Sequence, residues 1–394
     1  MRHALASERL LAGRTEANAA LFRAESQRIA RLCHRMAERF AKGGRLVAMG
    51  ASPTARSDVR HIAVEFVHPV IVGKRALPAI GLASEGGSLA EQADLLAEPD
   101  DIAVGFDVGA RAALELAAAR GCLTVAFDPL DAEWQFDPPS RDPFVRQELV
   151  ETLYHLLWEL VHVFFEHRGL LEGREARAVH DSGAASFLYP FLAEQEHDLE
   201  AVIADVARSV EMKADEIAEL RAQTLAEGRE TLVAAAAAIR RGLDSGGRLL
   251  ALGNGGSATD AMDVVADFRS PPHDWPPRPA IDLTEDAAIL TALANDIGVD
   301  AIFARQIIAY AREGDTVLAL STSGNSRNVI EALAEARRRG VTTVAMVGYD
   351  GGRVAEEGLA DHVVITRSEH IPRIQEAQAS AYHVLRALVE AAPP

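Results

Sequence analysis

Short apolar runs and longer helical patterns alternate along most of the chain. In the second half the apolar runs cover residues 248–252, 280–283, 316–320, 342–347 and 362–365, and the helical patterns cover 258–268, 286–295, 325–338 and 375–391. Apolar runs of this length that alternate with helices are typical of parallel strands buried on both faces. The pattern predicts an α/β fold in which helices cover both faces of a parallel sheet.

The first half follows the same plan. Its apolar runs cover residues 46–49, 79–82, 102–106 and 123–127, and its later helical patterns cover 111–120 and 146–167. A long helical stretch opens each half, at 16–42 and at 192–244. Residues 169–185 contain Gly, Arg, Glu and Ser without such a pattern, and we interpret them as a linker.

The two halves also share short motifs in the same order, which indicates a duplication. Residues 43–46 (GGRL) return at 246–249, 78–80 (PAI) at 279–281, and the RG and TVA motifs of 120–126 at 339–345, while Gln147, Glu148, Tyr154 and His155 return as Gln375, Glu376, Tyr382 and His383. We therefore expect two tandem domains, at 1–168 and 186–394. Each is predicted to be a doubly wound, mainly parallel five-stranded sheet with helices on both faces.

The composition excludes several classes of protein. Of 394 residues 48% are hydrophobic and 25% are charged, and since no apolar run is long enough to span a bilayer, we expect a soluble protein without a membrane partner. The presence of only Cys33 and Cys122, and an N-terminus without an apolar signal core, indicate the cytoplasm. The net charge of −18 argues against a nucleic-acid partner. It allows a phosphorylated sugar, since helix N-termini bind phosphate without basic side chains.

Two loops that follow strands and open helices are suited to an anion. The first, residues 253–257 (GNGGS), combines glycines, which allow close backbone approach, with free helix amides and a serine hydroxyl. An ordinary glycine-rich turn explains it equally well. The second, residues 321–326 (STSGNS), has five uncharged side chains that can hydrogen-bond, which suits a phosphate. Its alternative explanation is a capped helix start, for which one such residue suffices.

These loops, together with residues 294–296 (AND) and 373–376 (RIQE), resemble phosphoheptose isomerases of the SIS (sugar isomerase) domain family over about residues 194–389. The resemblance implies an enzyme of carbohydrate metabolism that converts sedoheptulose 7-phosphate to an aldose heptose phosphate. The substrate-binding residues that we carry over are Asn254, Gly255, Gly256, Ser257, Asp296, Ser321, Thr322, Ser323, Asn325, Ser326 and Gln375.

The family also has a helical His and Glu, four residues apart, which form its metal and acid/base set with a Gln and a His on the last helix. In the second half the first two positions are Asp263 and Asp267, while Gln375 and His383 match. Asp is shorter than Glu and lacks the imidazole nitrogen, so zinc of the family type is not expected there. If the site is nevertheless in this half, His383 and Asp267 are the catalytic candidates.

The first half keeps those residue types but has lost the phosphate loops, because its third-strand loop begins with the acidic Asp107 and lacks hydroxyls. His61 and Glu65 share one helix face, as do Gln147 and His155. Two imidazoles, a carboxylate and an amide oxygen suit zinc or a similar divalent ion, although ordinary helix packing explains each residue taken alone. By resemblance, Glu65 is the base and His155 the acid.

The complementary losses lead to the hypothesis of one site composed from both halves. The first half would supply the metal and proton transfer, and the second would hold the phosphate, for an aldose–ketose isomerisation through an enediolate. Two alternatives stay open: a SIS protein that binds a sugar phosphate to regulate or scaffold a partner without turnover, and an isomerase of another sugar phosphate. Since single-domain relatives are tetramers, the resemblance implies a homodimer that forms a pseudo-tetramer.

Overall fold

The structure, a computed structural model, describes residues 2–70, 74–166 and 198–391. The chain divides into two compact units. The N-terminal unit comprises Glu16–Arg141 and Leu149–Asp215, and the C-terminal unit comprises Met1–Thr15, Asp142–Glu148 and Glu216–Pro394. The predicted linker at 169–185 lies outside the described residues, so the predicted domain boundaries stay a prediction.

The N-terminal unit contains a five-stranded sheet whose neighbouring strands are all parallel. The strands, in the spatial order β2-β1-β3-β4-β5, are β1 Leu46–Met49, β2 Ala79–Leu82, β3 Ile102–Gly105, β4 Leu123–Ala126 and β5 Trp134–Gln135. The helices in this part of the sequence are α1 Arg2–Ala41, α2 Pro53–Val67, α3 Leu89–Leu96, α4 Arg111–Ala119 and α5 Pro143–Glu166. Helix α2 begins after Ser52 because that hydroxyl accepts from the Ala55 amide and a proline occupies the first helical position.

The C-terminal unit contains a second all-parallel five-stranded sheet. Its strands, in the spatial order β10-β9-β8-β6-β7, are β6 Leu249–Leu252, β7 Ala280–Asp282, β8 Thr316–Ser321, β9 Thr342–Gly348 and β10 His362–Thr366. The later helices of the chain are α6 Leu199–Glu227, α7 Arg229–Asp244, α8 Gly256–Arg269, α9 Ala287–Asp296, α10 Ile302–Tyr310, α11 Arg327–Arg338, α12 Gly352–Glu356 and α13 Ile371–Ala391.

Both faces of the second sheet are covered by helices. Leu249 and Ala251 belong to one apolar cluster, while Leu250 and Leu252 belong to another, because successive side chains of a strand point to opposite faces. The predicted fold class is confirmed for both sheets. Among the described residues, no helix combines the length and the apolar composition that a membrane span needs.

Two features of the fold differ from the sequence pattern. Strand β5 was not predicted, because two residues are too few to produce a pattern. The helical stretch predicted at 192–244 is interrupted between α6 and α7 by Gly228, where a Cβ would lie 2.9 Å from the carbonyl oxygen of Thr224. The apolar pattern continues across this glycine, so the sequence did not reveal the break.

The order of the strands in the second sheet determines where a ligand can bind. Strand β6 lies between β7 and β8, so the chain leaves β6 for one side of the sheet and later returns to its other side. In open parallel sheets, ligands bind beyond the carboxyl ends of the strands where the connections diverge in this way. The loops after β6 and β8 therefore occupy the expected position of a binding site.

Candidate functional site

The loops that follow β6 and β8 are neighbours in the C-terminal unit. Leu252, the last residue of β6, is paired with Ala319 near the end of β8. The side chains of Asn254 and Asn328 exchange two hydrogen bonds of 2.9 Å, which tie the first loop to the start of α11. The two predicted anion-binding loops are thus positioned to contact one ligand.

Backbone geometry explains the glycines of the first loop. A Cβ at Gly253 would collide with the carbonyl oxygen of Ser257, and Gly255 has a φ of +58°. Helix α8 starts at Gly256, and no described side chain caps its N-terminus. The amides of Ser257 and Ala258 donate to the carbonyls of Asn254 and Gly255 at 3.1 and 2.9 Å, so the attraction of this helix end for an anion comes from the helix dipole.

The second loop is held in shape by its own hydrogen bonds. The Ser321 hydroxyl accepts from the Gly324 amide, and the Ser323 hydroxyl accepts from the Asn325 amide, both at 3.2 Å. Gly324 has a φ of +61°, and a Cβ there would collide with the carbonyl oxygen of Gly351. A hydroxyl that accepts a hydrogen bond still has a proton to donate, so both serines can bind an anion in this conformation.

The remaining predicted substrate-binding residues lie in different environments. Ser326 is the N-cap residue of α11, but its side chain makes no capping hydrogen bond to any described residue, so helix capping does not explain it. Thr322 is half-buried and Asn325 is exposed. Asp296 is exposed at the end of α9, and Gln375 is buried on α13. Their roles toward a ligand stay predictions.

A buried histidine lies among three carboxylates in the same unit. Nδ1 of His383 lies 2.9 Å from Glu148 Oε1, and its Nε2 lies 3.5 Å from one oxygen of Asp263 and of Asp267. The Phe144 ring stacks on the imidazole, with centroids 4.3 Å apart and planes inclined by 8°. The histidine and the three carboxylates are each at most 2% exposed. Their electrostatic interactions are therefore weakly screened by water.

These carboxylates alter the acidity of the histidine. Burial lowers its pKa, but the neighbouring carboxylates of Asp263, Glu148 and Asp267 raise the pKa of His383 to about 10. Burial also raises the pKa of Glu148, but the charge of Arg14 and the hydrogen bond with His383 hold it well below its usual range. Near neutral pH the imidazole is therefore protonated and Glu148 is ionised.

Asp267 is shifted in the opposite direction. Burial and the charge of Asp263 raise the pKa of Asp267 well above its usual value. Neither of its carboxylate oxygens accepts a hydrogen bond within the described part of the chain, whereas Asp263 accepts one of 2.9 Å from the Tyr382 hydroxyl. A carboxyl group with a raised pKa beside a protonated histidine is suited to proton transfer near neutral pH.

A small cavity of about 100 Å³ borders His383. Its walls include Arg14, Phe144, His273 and Trp275. The rings of His273 and Trp275, which come from the proline-rich segment between α8 and β7, lie with their centroids 4.5 Å apart. His383 is therefore buried but next to a space that one end of a small ligand can enter.

The N-terminal unit contains a second cluster of possible ligands. The Nε2 atoms of His61 and His155 lie 3.3 Å apart. Ligand atoms of these two residues and of Glu151 all lie within 4.8 Å of one another, and all three side chains are buried. Glu65 is also buried, with Oε1 3.9 Å from His61 Nε2. Burial and the neighbouring His155 hold the pKa of His61 well below its usual value, which keeps its imidazole neutral.

The residues of this second cluster fit a zinc ion. Zinc–nitrogen bonds of about 2.0–2.1 Å in tetrahedral geometry place two nitrogen ligands about 3.3–3.4 Å apart. The two Nε2 atoms have this spacing, and Glu151 offers an oxygen ligand. Gln147, the fourth predicted ligand, is half-buried and belongs to the C-terminal unit, so its contribution stays a prediction.

The loops of the N-terminal unit do not repeat the arrangement of the anion-binding loops. The carboxylate of Asp107 accepts hydrogen bonds from the amides of Ala51, Ser52 and Gly109. These amides belong to the loops after β1 and β3, which correspond to those after β6 and β8. A carboxylate of the chain therefore already accepts from these amides, and the loss of phosphate binding in this half stays a prediction.

Three residues of these sites were missed at the sequence level. Glu151 lies four residues before His155 on the same helix face, a spacing that could have revealed it. Glu148 and Arg14 show no local signal, because their contacts with His383 and with each other span 235 and 134 residues.

Comparison with known proteins agrees with the motifs. A model of the SIS domain matches residues 214–348. A phosphoheptose isomerase of Chlorobium phaeobacteroides is 47% identical over 174 residues, which cover 43% of this chain and 76% of that protein. The region that the SIS domain model matches includes both predicted anion-binding loops.

Solved structures extend the likeness of the fold to nearly the whole chain. The C-terminal domain of glucosamine-fructose-6-phosphate aminotransferase from Francisella tularensis is 11% identical with a TM-score of 0.57, covering 97% of this chain and 94% of that one. The tagatose-6-phosphate ketose/aldose isomerase of Escherichia coli is 12% identical with a TM-score of 0.56, covering 98% and 94%. With two sheets of the same topology and a matching relative, this chain belongs to the SIS domain family, in its phosphoheptose isomerase branch, as a tandem duplication.

Proposed function

We propose that the protein is a sugar-phosphate isomerase that interconverts an aldose and a ketose, with sedoheptulose 7-phosphate as the first substrate to test. One observation carries the proposal. The buried cluster of His383, Asp263 and Asp267 lies in the same unit as two adjacent anion-binding loops. The SIS domain model matches residues 214–348, which include both loops, and relatives named phosphoheptose isomerase match 43% of the chain.

The loops supply the phosphate site of the proposed enzyme. The hydroxyls of Ser257, Ser321 and Ser323 donate to the phosphate oxygens, and the dipole of α8 stabilises the negative charge at the N-terminus of the helix. Asp263 lies seven residues beyond Gly256 on the same helix, which corresponds to about 10 Å along its axis. An extended sugar phosphate bound at the loops is long enough to bring its carbonyl end to the histidine cluster.

Proton transfer in the C-terminal unit requires one base and one acid. Asp267, whose pKa is raised, removes a proton from the carbon beside the carbonyl, and the protonated Nε2 of His383 donates to the carbonyl oxygen. The positive imidazolium also stabilises the enediolate in this water-poor site. In this proposal Asp267 and His383 have the roles of base and acid that the resemblance assigned to Glu65 and His155. A catalytic role of Glu65 and His155 stays a prediction.

We propose that zinc, if it is bound, is held in the N-terminal unit by His61, His155 and Glu151 beside Glu65. A bound zinc ion would supply Lewis-acid stabilisation of a negatively charged oxygen. The predicted composite site requires that His61→Ala and Ser323→Ala each abolish the same activity. Full activity in His61→Ala would confine catalysis to the C-terminal unit.

The proposal is tested by incubating the protein with sedoheptulose 7-phosphate and following the aldose product by NMR. We expect turnover by the unmodified chain and a fall in kcat of about 10²- to 10⁴-fold in His383→Asn, because a positioned acid is lost. His362→Asn is the matched control, since His362 lies half-buried on β10, away from the cluster. Unchanged kcat in His383→Asn would exclude this histidine from the reaction.

The same assay separates the alternatives. If the protein binds sugar phosphates saturably but turns over none of them, a regulatory or scaffold role is favoured over catalysis. If the protein turns over only a pentose or hexose phosphate, the proposed mechanism stands and the proposed substrate is wrong. We also propose a cytoplasmic homodimer that forms a pseudo-tetramer of SIS domains, for which light scattering gives the mass.

A further inference from the structure

Glu148 is a buried carboxylate of the C-terminal unit that has no direct part in the proposed reaction. Its Oε1 accepts from Arg14 Nη2 at 2.8 Å, and its Oε2 accepts from Arg14 Nε at 2.9 Å and from the Ser380 hydroxyl at 2.6 Å. Its backbone carbonyl accepts from Arg221 at 3.0 Å. Both carboxylate oxygens are therefore fixed in position before any ligand binds.

The two repeats differ in the partner of this carboxylate. Its counterpart Glu376 pairs with Arg373, three residues earlier on α13, at 2.6 and 2.5 Å. The residue three positions before Glu148 is Val145, which cannot form such a pair. Glu148 instead contacts Arg14 and His383, so the two repeats use the same carboxylate differently.

The contact with Glu148 determines which nitrogen of the imidazole is directed at the other carboxylates. Arg14 and Ser380 both donate to the Glu148 carboxylate, which accepts from its neighbours, so Nδ1 of His383 carries the proton of the hydrogen bond between His383 and Glu148. The Phe144 ring is stacked against the imidazole, which holds the plane of the ring in place. Nε2 is therefore directed at Asp263 and Asp267. A carboxylate that orients a reacting histidine through its other nitrogen is a recurrent arrangement in enzymes.

We propose that Glu148 is the positioning residue of His383, holding the Nδ1 proton so that Nε2 faces the reacting end of the sugar phosphate. The inference deepens the proposed isomerase function and rests on it for the reaction. Glu148 and Arg14 both come from the first half of the sequence, although they belong to the C-terminal unit. The half that carries the phosphate loops thus depends on the other half of the sequence to orient its histidine.

Two substitutions and a matched control test this role. Glu148→Gln keeps an oxygen that can accept from Nδ1, whereas Glu148→Ala removes it. Asp315→Asn is the control, because Asp315 is also a buried carboxylate, paired with Arg248 at 2.9 Å and without a contact to His383. We expect kcat to fall by about 10- to 100-fold in Glu148→Ala and less in Glu148→Gln, with KM close to that of the unmodified protein.

A kinetic result can overturn the proposal. If kcat of Glu148→Ala equals that of Asp315→Asn, the carboxylate only stabilises the fold. A rise in KM with unchanged kcat would assign Glu148 to substrate binding instead.

A spectroscopic measurement tests the proposal on the unmodified chain, should the variants fail to fold. With ¹⁵N-labelled histidine, the ring signals of His383 are identified by their absence in His383→Asn. We expect a protonated Nδ1 at neutral pH, and an unprotonated Nδ1 would overturn the proposal. This measurement does not need turnover, so an inactive protein with a protonated Nδ1 would refute the isomerase function alone.

Discussion

The carboxylate of Asp107 lies 2.6 Å from the backbone amide of Ser52, the residue that caps α2. Ser52 follows β1 just as the glycine-rich loop follows β6, and Asp107 follows β3 just as the serine-rich loop follows β8. The N-terminal unit therefore contains, as part of its own chain, an anion at the position where the C-terminal unit is suited to bind one. The Asp107 side chain thus occupies amides of the loops after β1 and β3 that would otherwise be open to a ligand.

Replacing Asp107 by serine should expose those amides. We expect Asp107→Ser to destabilise the N-terminal unit by about 1 kcal/mol, because the amides of three exposed residues lose a charged acceptor and are hydrated instead. Inorganic phosphate should then raise the Tm of the variant more than that of the unmodified protein. The control is Asp94→Ser, which removes an exposed partner of Arg120. Equal phosphate responses of all three proteins would argue against an internal anion.

The serine-rich loop should determine affinity for the phosphate more than the rate of the reaction. We expect Ser321→Ala and Ser323→Ala each to raise KM by about tenfold or more, since a hydrogen bond to a charged group contributes about 1.5–3 kcal/mol. Steady-state kinetics with the sugar phosphate measure this. Ser245→Ala is a matched control, because that hydroxyl donates to the Gly242 carbonyl at the end of α7 and belongs to neither loop. An unchanged KM in both loop variants would locate the phosphate elsewhere.

Zinc content should separate the two clusters of possible ligands. After dialysis against zinc and then buffer, we expect metal analysis to find zinc in the unmodified protein and much less in His61→Ala and Glu151→Gln. The reason is that each variant loses one of three converging ligands. Asp263→Asn, in the other unit, should keep its zinc. If zinc is lost in Asp263→Asn and retained in His61→Ala, the zinc site lies in the C-terminal unit instead.

His162 should make the stability of the N-terminal unit dependent on pH. It is buried, with Nδ1 2.8 Å from the Trp158 carbonyl oxygen and Nε2 3.0 Å from that of Arg75. Burial, with the charge of Lys74, lowers its pKa from 6.5 to about 4, so the unfolded chain binds more protons between these values. Stability is therefore fully present above pH 6.5 and decreases as the pH falls toward 4.

The decrease amounts to about 3 kcal/mol at most, since each unit of pKa shift corresponds to about 1.4 kcal/mol. Urea denaturation across this pH range should show a shallower decline in His162→Gln than in the unmodified chain. His68→Gln is the control, because His68 is exposed at the end of α2. Parallel declines in the three proteins would contradict the prediction.

Much of the fold could be predicted because the relevant signals are local. Strands β1 and β2 were predicted to the residue, since each is a short apolar run followed by a turn. The shared motifs of the two halves predicted two similar sheets, and both have the same topology. The edge strand β5 was not predictable because two residues produce no pattern, and the break at Gly228 was not predictable because the apolar pattern continues across it.

The sequence by itself determined the two α/β repeats, the two loops suited to an anion, and the pairing of His61 with His155 as candidate metal ligands. Only the tertiary structure decided that Glu148 contacts His383 across 235 residues and that Glu151 completes the cluster around His61. The physical reason is that apolar periodicity and glycine spacing act over a few residues. The partner of a buried charge is instead selected by the packing of helices that are distant in sequence, and no local pattern records that packing.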